Sequence, residues 1–220
     1  MMNLKEVNNN PYLLEFIKQA EKKLAVLQYT SHGLDHCNLV ADRARTVAKE
    51  INLGEREQEI AAIAGFSHDF GNFLSRTYHN YLGAVTFQQL FKDDFPPNEM
   101  ASLMQAIANH DKDEMEFTDP VSAVLVLADK SDVRRSRVTV KDKKLIASDI
   151  HNRVNYATNA SKLGIDKADK IITLSLEIDT NFVPIIEYFE IFTDRMVYCR
   201  KAAQYLGYRF SLVINNFKLL

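Results

Sequence analysis

Six residues of the kinds that bind metal ions lie within the first 130 positions. They are His36, His68, Asp69, His79, His110 and Asp129. A single histidine on a helix is more often a structural residue than a ligand. However, five of the chain's six histidines fall between residues 32 and 110. Imidazole and carboxylate groups together suit iron, manganese, zinc or nickel without any thiolate. The group as a whole therefore indicates a metal site.

The pair His68–Asp69 follows an apolar run within the segment AGFSHDFGNF, residues 64–73. A charged pair at such a position costs free energy unless another group satisfies it. In the simplest interpretation, Asp69 ends a helix and hydrogen-bonds a neighbour. That interpretation leaves the other five residues unexplained.

The order and spacing of these residues resemble those of the HD superfamily of metal-dependent phosphohydrolases. The resemblance rests on HCNLV at His36, HDFGN at His68 and LADKSD around Asp129, and it extends roughly from residue 12 to residue 137. YHNYLGA at His79 and AIANHD at His110 are similar to the additional ligand positions of dinuclear members. Such members include bacterial HD diadenosine tetraphosphate hydrolases and HD-GYP cyclic-dinucleotide phosphodiesterases.

The resemblance implies two divalent metal ions, with Asp69 as the bridge between them. The implied ligands are His36, His68 and Asp129 for the first ion, and His79 and His110 for the second. A metal-bound hydroxide would then hydrolyse a nucleotide or another small phosphate ester. The sequence does not distinguish Fe, Mn, Mg, Zn and Ni.

Basic residues follow the last of these ligands in the segment DKSDVRRSRV. Lys130, Arg134 and Arg137 have the three- and four-residue spacings that place side chains on one helix face. We therefore expect all three to bind the phosphate of the substrate, and Lys130 also to take part in catalysis. The alternative is a solvated basic helix end.

Three more polar residues complete the predicted site. Asp69 and Asp132 are both candidate catalytic residues. Asp132 could donate a proton to the leaving oxygen, or it could instead position one of the metal ligands. His32, in SHGLDHC, and Asn72 are candidates for substrate binding, although Gly33 also makes a loop conformation possible for His32. Asn72 stands where several HD phosphohydrolases carry Lys, and it can hydrogen-bond a phosphate without supplying charge. The Gly-Tyr-Pro triplet and the His pair of HD-GYP proteins are missing, which disfavours cyclic-dinucleotide hydrolysis.

Two other functions remain open from the sequence. Some members of the superfamily resemble inositol oxygenases, which use four His and two Asp on a di-iron pair, and the fold alone does not decide the chemistry. A module that senses a nucleotide without hydrolysing it is the second alternative. The complete ligand set argues against that module.

The elements that must position these residues are mainly helices. Apolar residues recur at helical spacing through the first half, for example from Leu13 to Leu27. After about Arg137, the alternating segments KIITLSLEID and RFSLVIN predict strands on either side of a long helix from Pro184 to Leu206, and RVNYATNAS is a weaker strand candidate. We expect a helical HD bundle, residues 1–137, followed by a small α+β unit, residues 138–220.

Composition narrows the range of partners. The net charge of −2 gives no reason to expect attraction to nucleic acid or to an anionic membrane. Two cysteines do not make a disulfide framework, and the N-terminus lacks the apolar core of a signal peptide, so we expect a cytoplasmic protein. The partner should be a small phosphorylated substrate. The C-terminal unit could cover the site, or pair two copies of the chain as a homodimer.

Overall fold

The computed structural model describes residues 2–112 and 114–219 of the chain. Within these residues, the part before position 138 is helical. Its helices are α1 (Leu4–Asn8), α2 (Pro11–Val26), α3 (Leu34–Glu50), α4 (Glu55–Ser67), α5 (His79–Phe91), α6 (Pro97–Asn109) and α7 (Pro120–Lys130). Two short 3-10 segments, Phe70–Phe73 and Arg135–Arg137, follow α4 and α7.

Helices α4 and α7 form the centre of the bundle. Every residue from Ile60 to Ser67 and from Val121 to Lys130 is buried, so neither helix presents a wide polar face to solvent. Helix α7 begins as its sequence predicts, because the Asp119 carboxylate accepts hydrogen bonds from the backbone of Val121 and Ser122. Polar residues within such helices must find partners inside the protein.

The remaining chain forms two short helices, a four-stranded sheet and one long helix. These elements are α8 (Lys143–Ser148), α9 (Ile150–Ala157), β1 (Thr158–Asp166), β2 (Ile171–Ile178), α10 (Ile185–Tyr205), β3 (Arg209–Ile214) and β4 (Phe217–Lys218). The sheet order is β1-β2-β3-β4, and only the β2–β3 pair is parallel. Helix α10 connects these two parallel strands, as such a crossover requires.

One face of the sheet is buried, in agreement with the predicted alternation. Ile172, Leu174 and Leu176 of β2 are buried, and Leu174 pairs with Leu212 of β3. Helix α10 packs against β3 and also against α7 of the helical bundle. The mainly α fold with a C-terminal α+β unit is therefore confirmed.

The secondary-structure predictions were wrong in three places. The segment RVNYATNAS is helical up to Ala157 and becomes strand only from Thr158, while the short elements α1, α8 and β4 were not predicted. Helix α7 ends at Lys130, and Arg134 has an extended backbone with φ −162° and ψ 152°. Lys130, Arg134 and Arg137 therefore do not share one helix face, because the helix that their spacing requires stops before Arg134.

The division at residue 137 stays a prediction. The apolar core is one continuous cluster to which both parts of the chain contribute, including Val126 of α7 and Phe192 of α10. Among the described residues, no helix is both long enough and apolar enough to cross a membrane.

Candidate metal centre

The six candidate ligands come from five helices that converge at the centre of the bundle. His36 lies in the first turn of α3, His68 and Asp69 follow the end of α4, and His79 begins α5. His110 follows the end of α6, and Asp129 lies in the last turn of α7. All six side chains are buried, and Asp129 is the most exposed of them at 7%. Residues far apart in the sequence thus form one polar cluster inside an apolar core.

The four histidines have the same orientation. The Nδ1 atoms of His68, His79 and His110 lie 2.7, 3.0 and 2.7 Å from the backbone carbonyl oxygens of the residues three positions earlier. The Nδ1 atom of His36 lies 2.7 Å from Oδ2 of Asp132. These oxygens can only accept hydrogen bonds, so each Nδ1 carries the proton. Each Nε2 atom is therefore available as a ligand and faces the centre of the cluster.

The carboxylate of Asp69 lies between two pairs of histidines. Its Oδ2 atom is 3.4 Å from Nε2 of His36 and 3.0 Å from Nε2 of His68. Its Oδ1 atom is 3.2 Å from Nε2 of His79 and 3.5 Å from Nε2 of His110. One oxygen thus faces each pair, which is the arrangement that a bridging carboxylate requires.

The second carboxylate, that of Asp129, faces only one of the two pairs. Its Oδ1 atom lies 3.5 Å from Nε2 of His36 and 3.6 Å from Nε2 of His68. Ligand atoms bound at about 2.0–2.2 Å to one ion lie roughly 3.0–3.5 Å from one another. The separations within each half of the cluster are close to that range, so the residues fit two metal ions.

The chemistry of the cluster also calls for positive charge at its centre. The Nε2 atoms of His36 and His68 are 3.2 Å apart, as are those of His79 and His110, and two bare lone pairs at this distance would repel each other. Burial opposes ionisation of Asp69, but positive charge on the neighbouring His68 and His32 lowers the pKa of its carboxyl. In turn, and against burial, Asp69 and Asp129 raise the pKa of His68 to about 10, so the metal-free cluster takes up a proton at its centre. A bound divalent cation would take the place of that proton.

Two buried side chains support the bridging Asp69 and the ligand His36. Asn72 donates from Nδ2 to the backbone oxygen of Asp69 at 2.8 Å and to its Oδ1 at 3.3 Å, and it is fully buried. Asp132 is also fully buried, and it accepts from His36 and from Nε of Arg134 at 2.8 Å. These contacts favour positioning roles over the predicted substrate contact of Asn72 and proton donation by Asp132. The predicted roles of both residues stay predictions.

Lys130 is held in two ion pairs. Its Nζ atom lies 3.0 Å from Oδ2 of Asp129 and 2.9 Å from Oδ1 of Asp111, and the residue is 5% exposed. The carboxylates raise the pKa of Lys130 despite its burial. Lys130 thus neutralises the face of Asp129 that points away from the histidines. A catalytic role for it stays a prediction.

The two arginines after α7 differ in their surroundings. Arg134 is bound by Asp132, by Oγ of Ser136 at 2.9 Å and more weakly by the carbonyl of Asp35. Arg137 is buried and donates from Nε to the carbonyl of Ser31 and from Nη1 to that of Asp132. Its Nη2 atom is buried with no hydrogen-bond partner among the described residues. Arg137 thus keeps a buried donor atom without a partner in the described part of the chain.

A cavity of about 450 Å³ lies beside the cluster, and Arg137 and His32 are part of its wall. His32 lies in the loop before α3, where Gly33 is the N-cap, and its Nε2 atom is 3.9 Å from Oδ2 of Asp69. A larger groove of about 690 Å³, between α2 and the start of α3, contains none of the six ligands. None of the six ligands lines the smaller cavity either, but its wall residues His32 and Arg76 lie 3.9 Å from Asp69 and 3.4 Å from His79, so the cavity adjoins the cluster. A third groove, of about 590 Å³, is lined by His79 itself together with Arg76 and Asp111. Both spaces are candidate substrate sites.

Sequence reasoning missed two arginines near the centre. Nη1 of Arg76 lies 3.4 Å from Nε2 of His79 and 3.3 Å from Oδ1 of Asn72. Arg195 of α10 lines the cavity beside Arg137. The position of Arg76 between Asn72 and His79 was a usable signal. Arg195 lies 66 residues after Asp129 in the chain, and only the packing of α10 against α7 brings it near the site.

Comparison with known protein families agrees with this geometry. Residues 33–134 match the model of a family described as the HD domain. The matched range contains all six candidate ligands and leaves out Arg137, the sheet and α10. No curated protein matches the chain.

Proposed function

Because residues 33–134 form an HD domain, the domain of the metal-dependent phosphohydrolase superfamily, we propose that this chain hydrolyses a nucleotide or another small phosphate ester with two divalent metal ions. The observation that carries the proposal is the division of the Asp69 carboxylate between two histidine pairs. A carboxylate that faces one metal ion only would not need four imidazoles around it. Bound divalent ions would supply Lewis acidity and an activated water molecule.

The protein's own residues have separate tasks in this proposal. Asp69, His36, His68 and Asp129 hold one ion, and His79 and His110 hold the other with the second oxygen of Asp69. Apolar helices around the cluster exclude bulk water, which strengthens electrostatic interactions with the phosphoryl group.

Cations around the cluster support a phosphorylated substrate. Arg76 lies against His79, and its side chain is 36% exposed, so it can reach a phosphate at the metal centre while Asn72 holds it in place. Its fork of donors matches the oxygens of a phosphoryl group. His32 would contact the substrate from the opposite side of Asp69.

The direct test is a screen of phosphate esters and nucleotides with metal-loaded protein. We expect hydrolysis by the wild type and by Asp169→Asn, whose exposed side chain is far from the ligands in sequence. Asp69→Asn should lose turnover by a factor of about a thousand or more, because it removes one bridging charge, and it should still unfold cooperatively. Equal turnover of Asp69→Asn and wild type would overturn the proposal.

The six candidate ligands also suit one other class of reaction, oxidation by O₂. Four histidines and two aspartates also suit a di-iron oxygenase, which would consume O₂ in the presence of its substrate. Oxygen uptake by iron-loaded protein, without phosphate release from any ester in the screen, would support the oxygenase. Tight nucleotide binding without turnover under any metal would support a sensing module.

A further inference from the structure

We propose that Arg195 and Arg137 form a subsite for a second phosphoryl group, so that the substrate of this chain carries a diphosphate. The inference rests on the proposed function, because it places the reacting phosphoryl group at the metal centre. It gives the C-terminal unit, which lies outside the matched HD domain, a role in substrate binding.

The cavity of about 450 Å³ adjoins the metal centre through two residues of its wall. His32 and Arg76 belong to its wall, and each also contacts a residue of the cluster, Asp69 and His79 respectively. A second space of ligand size, the groove of about 590 Å³ lined by His79, also adjoins the centre, but its lining balances Arg76 and Lys112 with the carboxylates of Asp111 and Glu114. A second anionic group therefore fits the cavity of about 450 Å³ better than the groove.

More positively than negatively charged side chains line this cavity. Three guanidinium groups line it, those of Arg76, Arg137 and Arg195, and the carboxylate among the lining residues is Asp149. Asp149 is already occupied as the N-cap of α9, where it accepts a hydrogen bond from the backbone of Asn152 at 2.8 Å. Arg137 and Arg76 also lie 3.7 and 3.9 Å from carboxylate oxygens outside the wall, those of Asp132 and Asp111, so Arg195 is the wall guanidinium for which the described residues provide no ion pair. The wall itself carries three guanidiniums and one carboxylate, and such a lining favours an anionic group such as a phosphoryl group.

Two of the three guanidiniums have unused hydrogen-bonding capacity. Nη2 of Arg137 is buried without a partner, an arrangement that normally costs free energy. Among the described residues, Arg195 makes no hydrogen bond and no ion pair. Its guanidinium lies over the ring of Phe192, 4.5 Å from the centroid, and this contact holds it at the cavity. An anion in the cavity would satisfy both groups.

The helices of the C-terminal unit supply the outer wall of the cavity. Arg195 and Phe192 come from α10, while His151 and Asn155 come from α9. Burial lowers the pKa of Arg195, although the site carboxylate Asp129 acts in the opposite direction. A cation that loses water without gaining a partner is poised for a ligand.

The corresponding reaction is hydrolysis of a phosphoric anhydride. One water adds to the phosphorus at the metal centre, and the bond from that phosphorus to the bridging oxygen breaks. The leaving phosphate keeps the bridging oxygen and its electron pair, and the water proton goes to solvent or to a product phosphate. Cations at the subsite stabilise the charge that develops on the leaving group.

The test uses two probes that cannot be hydrolysed, methylphosphonate and methylenediphosphonate. Their affinities are measured by calorimetry with metal-loaded protein after unbound metal has been removed. The variants are Arg195→Gln and the control Arg200→Gln, an exposed arginine on the same helix. Arg195→Gln removes the charge without breaking a hydrogen bond of the described structure.

We expect Arg195→Gln to weaken methylenediphosphonate binding about tenfold or more, the usual effect of a charge-assisted hydrogen bond. Methylphosphonate binding should change less than about threefold, since its one group stays at the metal ions. Arg200→Gln should match the wild type for both probes. Equal loss for both probes, or no loss for either, would overturn the subsite.

The binding readout separates this inference from the proposed function. If no phosphate compound is hydrolysed but methylenediphosphonate binding depends on Arg195, the hydrolase proposal fails and the subsite stands. If monoesters are hydrolysed and Arg195→Gln binds both probes like the wild type, the hydrolase stands and the subsite fails.

Discussion

The Nδ1 atom of His36 lies 2.7 Å from the Oδ2 atom of Asp132, and both side chains are almost completely shielded from solvent. The proton on Nδ1 fixes the orientation of the ring and leaves Nε2 directed at Asp69 and Asp129. A carboxylate behind a ligating imidazole also raises the basicity of the ligand. This contact favours a role for Asp132 in positioning His36 at the proposed metal centre.

Asp132→Asn should weaken metal binding by about 10- to 100-fold, because the amide removes the negative charge behind His36. Titration of metal-free protein against a competing chelator measures this affinity. The control Asp169→Asn should bind metal like the wild type. Unchanged affinity together with lost turnover would instead favour the proton-donor role that the sequence suggested.

Gly71 permits a close approach of two segments near a candidate ligand. A Cβ atom at this position would lie 2.0 Å from the backbone oxygen of His79 and 2.6 Å from the backbone nitrogen of Gly83. Gly71→Ala should therefore destabilise the fold by roughly 3 kcal/mol and displace His79. Gly164→Ala is the control, because its nearest neighbouring atom would be 4.0 Å away. Equal urea midpoints for the two variants would contradict this packing.

Lys130→Met should lower the free energy of unfolding by about 2–3 kcal/mol in the presence of a chelator. The substitution leaves the buried Asp129 and the partly exposed Asp111 without their shared cation. Lys141→Met, at an exposed position, should have almost no effect. A stability equal to that of the wild type, combined with a lower turnover number, would show that Lys130 acts in catalysis alone.

The ion pair between Arg56 and Glu99 predicts a pH-dependent contribution to stability. Nε and Nη2 of Arg56 bind the two oxygens of Glu99 at 2.8 and 2.5 Å, and this contact lowers the pKa of Glu99. The pair should therefore stabilise the fold above about pH 4.3, where Glu99 is ionised even in the unfolded chain. This stabilisation is lost as the pH falls through the lowered folded-state pKa.

Arg56→Gln should accordingly cost about 1 kcal/mol at pH 7, since both side chains are partly exposed. The difference from the wild type should shrink as the pH falls below about 4. Denaturant titrations at several pH values measure it, with Arg200→Gln as the control. A difference that stays constant down to the acid limit would mean that Glu99 is not the partner that matters.

Helices α2 to α7, helix α10 and two of the strands could be predicted because local patterns determine them. Asp119 and Pro120 mark the start of α7, and the alternation of Ile172, Leu174 and Leu176 marks a half-buried strand. The sequence also predicted that His36, His68 and Asp129 would meet. That prediction depended on the family resemblance, because helical periodicity does not say which helix ends converge.

Other features depend on contacts that no local pattern encodes. The three-residue spacing of Arg134 and Arg137 predicted a helix face, but α7 ends before them and the Arg134 guanidinium pairs with Asp132. Arg195 is part of the cavity wall only because α10 packs on α7. Side-chain partners across such distances follow from the tertiary fold.

The metal content of the protein and of His79→Ala tests the central claim most directly. Elemental analysis after loading and desalting should give two metal ions per chain for the wild type and about one for His79→Ala, because the second ion loses an imidazole ligand. His151→Ala, which removes a histidine that is not a candidate ligand, should retain two. One ion or fewer in the wild type, or two ions retained by His79→Ala, would contradict a dinuclear centre bridged by Asp69.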